Sequence, residues 1–172
     1  MGARNLTSAT ILAPRGLTQV IMDAKSWMAI GLAVALLLLA GIWHLVGIRA
    51  INRFGDYLGH RRYWSVLAAF WGIALLHLSE IAIAAGVLGI AIHWLELGTF
   101  GAGYGGSPVD FFYISGLTYT SMGYSHEEVN GPARILTMIN GLAGLMLITW
   151  SATYVYSIWG KYFTDPDEES AD

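Results

Sequence analysis

The stretch Thr118-Tyr119-Thr120-Ser121-Met122-Gly123-Tyr124-Ser125-His126 holds four hydroxyl-bearing residues besides its two tyrosines, and a glycine. It follows a helix start: Ser107 reads as N-cap, Pro108 as the first helical residue, and Asp110 puts an acid in the first turn. The helix expected there ends near Tyr119, after about 12 residues or about 18 Å, roughly half a bilayer. Irregular backbone at that depth is allowed only where it is buried in protein or lines water. Carbonyl oxygens freed in this way replace the water shell of a cation. Thr120, Ser121, Met122, Gly123, Tyr124 and Ser125 are therefore candidates for holding a permeant cation. The bland alternative is a re-entrant connector that seals a helix bundle. His126, Glu127 and Glu128 follow directly, either as an outer mouth whose carboxylates concentrate cations or as a solvated loop. Phe111, Phe112 and Tyr113 read as packing for Tyr124.

Ionisable residues inside apolar runs form the second set. His77 and Glu80 lie three apart on one helix face, as a hydrogen-bonded pair, a proton-sensitive gate or metal ligands. His93 and Glu96 repeat the spacing at the outer end, where reaching to water is the simpler reading. His44 reads as interfacial or packed against the second span. A haem or metal site built from His44, His77 and His93 is disfavoured, because His44 and His77 fall at different depths of their expected spans.

The elements that must position these residues are membrane helices. Apolar residues make up 55% of the 172 and charged ones 12%, against about 45–50% and about 25% in a soluble domain. A first span is expected at Trp27–Ile48 (27–49 with its flank), a basic cytoplasmic loop at 50–65, a second span at 66–97 and a third at 135–159. Residues 1–26 are an interfacial or flexible segment and 163–172 an acidic tail. The fold class is all-α integral membrane, with three spans plus a re-entrant helix at 108–119. Loop charge favours an outside N-terminus and a cytoplasmic C-terminus. The first helix is expected to pack on the second, outside the pore.

Other functions find little support. A net charge of −3 without a basic stripe excludes a nucleic-acid footprint, and the absence of Cys excludes thiolate sites. Gly101, Gly103 and Gly106 match GxGxxG spacing, but no strand and no βαβ unit frames them. No nucleophile elbow, HExxH or paired carboxylates flanking a soluble cleft point to an enzyme or a soluble substrate.

Residues 66–162 resemble the bacterial potassium-channel pore-domain family, whose filter reads T-x-T-T-V/L-G-Y-G-D after a short pore helix. Ser121 stands at the innermost filter Thr and Met122 at the Val or Leu, Gly123 and Tyr124 are identical, and Ser125 and His126 replace the second Gly and the Asp. The run Gly144 to Ala152 resembles G-L-L-M-x-x-W-S-T of small bacterial channel-like proteins, and His77 to Ile81 an H-x-x-E-I element of their outer helix. The resemblance implies a pore domain of outer helix 66–97, pore helix 108–119, filter 120–126 and inner helix 135–159, with Gly141 or Gly144 as a bend. It also implies a homotetramer in the lipid of a bacterial inner membrane, conducting a cation, by family potassium, with no resident cofactor. Ser125 and His126 are the departures that alter selectivity or silence the pore. A non-conducting assembly subunit is the alternative function.

Overall fold

A computed structural model describes residues 24–57, 62–101, 105–122 and 129–163. Among them the order is α1 (Ala24–Tyr57), α2 (Arg62–His93), β1 (Thr99–Phe100), α3 (Pro108–Tyr119), β2 (Val129–Asn130) and α4 (Arg134–Phe163). Helices α1, α2 and α4 are each long and apolar enough to cross a membrane.

Helix α1 runs 34 residues, well past the apolar stretch that marks the first span. Nothing in Arg49–Tyr57 breaks it: there is no proline, and a helix continues into water with its backbone bonds intact. Helix α2 likewise begins at Arg62, so the basic segment expected as a 50–65 loop is mostly helical. At its other end α2 stops at His93, short of Leu97. Leu95 N–H donates to Ile90 O at 3.1 Å, Leu97 N–H to Ala91 O at 2.9 Å, and Glu96 sits at φ 50°, so a closed turn replaces the last helical turn.

One stripe of α1 is buried: Ala29, Ala33, Leu36, Ala40 and His44, spaced by three or four residues. Four of the five are small or polar, as helix contacts in lipid require, where close approach and hydrogen bonds replace the hydrophobic effect. The stripe meets α4 as well as α2, so α1 is wedged against both other spanning helices instead of resting on α2 alone. Buried residues of α4 recur as Leu136, Asn140, Ala143, Leu147 and Ser151, again one face of a helix.

The Gly-rich stretch after α2 reads as loop in sequence, yet Thr99 and Phe100 pair antiparallel with Asn130 and Val129. This ribbon joins the segment before α3 to the segment after it. Gly131 turns the chain at φ 78°, a region open to glycine at little cost, and Ala133 N–H then donates to Leu97 O at 3.0 Å.

Candidate pore loop and buried carboxylate centre

Helix α3 begins as its sequence requires. Asp110 N–H donates to Ser107 Oγ at 3.3 Å, while Ser107 N–H donates back to Asp110 Oδ2 at 2.9 Å, a complete capping box with Pro108 at the start. The Ser107 amide, with help from its hydroxyl, holds the exposed Asp110 carboxyl below its ordinary value of 3.8. A lowered folded-state value means the cap stabilises the helix above that ordinary value and loses its effect as pH falls through the lowered one. Amide exchange in the first turn of α3 is expected to quicken over that acid window, and Asp110→Asn to remove the dependence. An equal response in both proteins would refute the cap's role.

The helix is 12 residues long and buries Phe111, Ile114, Ser115 and Tyr119, one face between α2 and α4. Phe111 packs its ring 5.2 Å from that of His93 and 5.1 Å from that of Phe100, while Phe112 and Tyr113 are exposed on the protomer. His93 is exposed, as expected, while its Nε2 lies 3.1 Å from Gly106 O. Glu96 also faces water, its carboxylate 4.0 Å from Lys25 Nζ.

At the foot of α3 the chain leaves the helix in a tight turn. Thr120 N–H donates to Gly116 O and Ser121 N–H to Thr118 O, both at 3.0 Å, and Ser121 takes φ 56°. Left-handed backbone is uncommon for a residue with a Cβ, and it redirects the chain out of the helix axis. Thr118 Oγ1 donates to Ile114 O and Ser115 O, and Thr120 Oγ1 to Gly116 O, so these hydroxyls cap the last helical carbonyls. Thr120, Ser121 and Met122 are exposed on the protomer. Gly123, Tyr124, Ser125, His126, Glu127 and Glu128 lie outside the described residues.

Helix α4 holds this foot from behind. Asn140 Nδ2 donates to Ser115 O at 2.9 Å and to Thr118 Oγ1 at 2.7 Å. A Cβ on Gly141 would stand 3.1 Å from Thr118 O, and one on Gly144 would overlap Tyr119 O. Both glycines, expected as bend points, serve here as contact surface for the end of α3, and α4 is helical across both. Asn140 drew no notice in the sequence. Its inward spacing with Leu136 and Leu147 is the signal that would have found it.

Beside the foot sits a buried carboxylate bonded from α1, α2 and α3, with α4 packed behind its His44 partner. Glu80, 3% exposed, receives His44 Nδ1–H on Oε1 at 2.8 Å, and Tyr119 O–H on Oε2 at 2.5 Å. His77 Nδ1 lies 3.0 Å from the same Oε2 and 2.8 Å from Tyr119 Oη. The other nitrogen of His44, Nε2, lies 3.4 Å from Ser151 Oγ on α4, and Trp150 covers the His44 ring at 5.3 Å. The expected His77–Glu80 pair is present, but as part of a larger group.

The expectation that His44 and His77 lie at different depths is corrected: their rings stack 5.6 Å apart, and His44 is fully buried. The error came from measuring depth within apolar runs. Helix α1 extends beyond its run at both ends, and its register against α2 is set by the small-residue stripe that ends at His44. His93, packed at the opposite end of α2 against Gly106 and Phe111, has no part in the group.

A spanning pair α2 and α4, enclosing a short capped helix and an irregular segment, matches a known family over residues 80–161, the model described as an ion channel. Over this stretch the chain is similar to ion-channel domains. The match covers just under half the chain, and no curated protein and no solved structure matches it. Within the matched stretch fall Glu80, Tyr119, Asn140, Gly144 and Ser151; His77 and the whole of α1, with His44, lie before it.

Proposed function

We propose that the protein is a cation channel, by preference for potassium, whose filter is formed by residues 120–126 of four identical chains around one axis. The observation that carries this reading is the 12-residue capped helix α3, too short to span, ending between two spanning helices in Thr120, Ser121 and Met122, all exposed on the protomer. A single copy of such a loop cannot surround an ion, and a ring of carbonyls needs symmetric partners. The remaining filter positions, Gly123, Tyr124 and Ser125, carry the peptide carbonyls that follow, and His126, Glu127 and Glu128 form the mouth. The N-terminus faces outside and the C-terminus the cytoplasm, in agreement with the basic residues between Arg49 and Arg62 on the inner side. Nothing in this reading requires catalysis.

The direct test is ion uptake into liposomes that contain the purified protein, with potassium against sodium. Potassium uptake above that of protein-free vesicles supports the proposal; equal leak in both overturns it. Ser125 favours a second reading, a non-conducting assembly subunit, because a Cβ stands where the filter pattern has glycine. Ser125→Gly is therefore expected to raise the potassium-to-sodium uptake ratio, by about 5- to 30-fold if about 1–2 kcal/mol of backbone strain is relieved. An unchanged ratio would dismiss strain as the cause.

A further inference from the structure

We infer that His44, His77 and Glu80 form an intramembrane site for a divalent transition-metal ion of the zinc type. Each residue offers a ligand atom, and these atoms all lie within 4.8 Å of one another. Both imidazoles present the same nitrogen, Nδ1, to the same carboxylate, although they come from different helices. Two imidazole nitrogens and a carboxylate oxygen suit zinc, with Tyr119 Oη, hydrogen-bonded to both His77 and Glu80, placed as a fourth oxygen.

Two further observations point to an ion. Metal-bound histidines donate their second ring N–H to an outer partner that fixes tautomer and orientation. For His44 that partner is in place, since Ser151 Oγ stands 3.4 Å from Nε2 and the Trp150 ring closes the side. The charge balance agrees. The Glu80 carboxylate is sited within the apolar span Tyr63–His93, where an uncompensated charge is costly. A dication supplies the compensation that no Lys or Arg provides among the residues bonded to Glu80. The nitrogen–oxygen distances of 2.8 and 3.0 Å are those of hydrogen bonds. Ligation at about 2.0–2.1 Å from a tetrahedral centre sets ligand atoms about 3.3 Å apart, so these nitrogen–oxygen pairs part by a few tenths of an ångström while the ligand atoms that lie up to 4.8 Å apart close in on the ion. The site joins α1 and α2 to Tyr119, the residue before Thr120, so an ion there would brace the foot of α3.

The full-length protein in detergent, stripped with chelator, is titrated with Co²⁺ as a visible probe and then with Zn²⁺ in competition. The expected result is one Co²⁺ per chain with tetrahedral ligand-field bands, displaced by one Zn²⁺. His44→Asn and His77→Asn place an amide N–H near the lost Nδ1 and so keep a donor for Glu80 without a good metal ligand. Each should weaken binding by more than about 100-fold, since loss of an outer partner alone costs about 10–100-fold. Ser151→Ala should fall at about 10-fold. His77 is partly exposed, so its variant is the one least affected by misfolding. No stoichiometric uptake by the wild type, or wild-type affinity in both Asn variants, overturns the site and leaves a purely hydrogen-bonded group. The readout is binding, so it stands or falls apart from conduction.

Discussion

Gly144→Val is expected to abolish ion flux in liposomes and to lower the unfolding midpoint in detergent. The Cβ of any residue at 144 would overlap the carbonyl oxygen of Tyr119 and crowd its carbonyl carbon at 2.7 Å. Backbone cannot swing aside as a flexible side chain can, so α4 must retreat from α3 or the foot of α3 must shift. Overpacking in a dense interior costs about 1–3 kcal/mol and more when backbone must move. Retreat of α4 would also stretch the bonds from Asn140 to Ser115 O and Thr118 Oγ1, which hold the same turn. Flux is the more sensitive readout, because a displacement at Tyr119 passes directly to Thr120 and Ser121. Undisturbed flux and midpoint together would show that the contact between α3 and α4 is slack.

Glu80→Ala is expected to be the most damaging single truncation among the buried polar residues. It strands the His44 donor and takes from Tyr119 and His77 one of the two partners each has. Hydrogen bonds within membrane bundles average about 0.6 kcal/mol, with a maximum near 1.7, so three bonds alone give roughly 2 kcal/mol. A buried donor left without its acceptor costs about 1–3 kcal/mol in water-soluble interiors. The loss should reach about 2–5 kcal/mol. Glu80→Gln, which keeps one acceptor oxygen, should lose markedly less. Denaturant unfolding in detergent compares the two. Equal losses would mean that volume, not acceptance of hydrogen bonds, is what Glu80 provides.

The helix that frames the candidate pore was legible because its signals are local. Ser107, Pro108 and Asp110 act within one turn, and the structure begins and ends α3 at Pro108 and Tyr119. Helix ends elsewhere were less legible. Apolar run length reports where lipid lies, whereas α1 and α2 continue into polar sequence that has no reason to unwind. The His77–Glu80 pair was readable from its spacing, but its partners were not. Tyr119 lies 39 residues from Glu80 and Ser151 107 residues from His44, and only helix packing brings such groups together. His44 itself was within reach: it continues the stripe of Ala29, Ala33, Leu36 and Ala40, which marks it as facing protein. Gly141 and Gly144 were noticed but given another role, because glycine in a helix reads equally as flexibility or as room for a neighbour.

The two-residue ribbon between Thr99–Phe100 and Val129–Asn130 fastens the ends of the α3 region to each other, while the foot of α3 is tied to α1 through Tyr119, Glu80 and His44. A truncated protein that starts at α2 would therefore keep its upper clasp and lose its lower one. Attempts to trim this protein to a minimal two-helix core would expose a carboxylate to hydrocarbon just below the exit of α3, so the leading helix is an integral strut of the fold around α3.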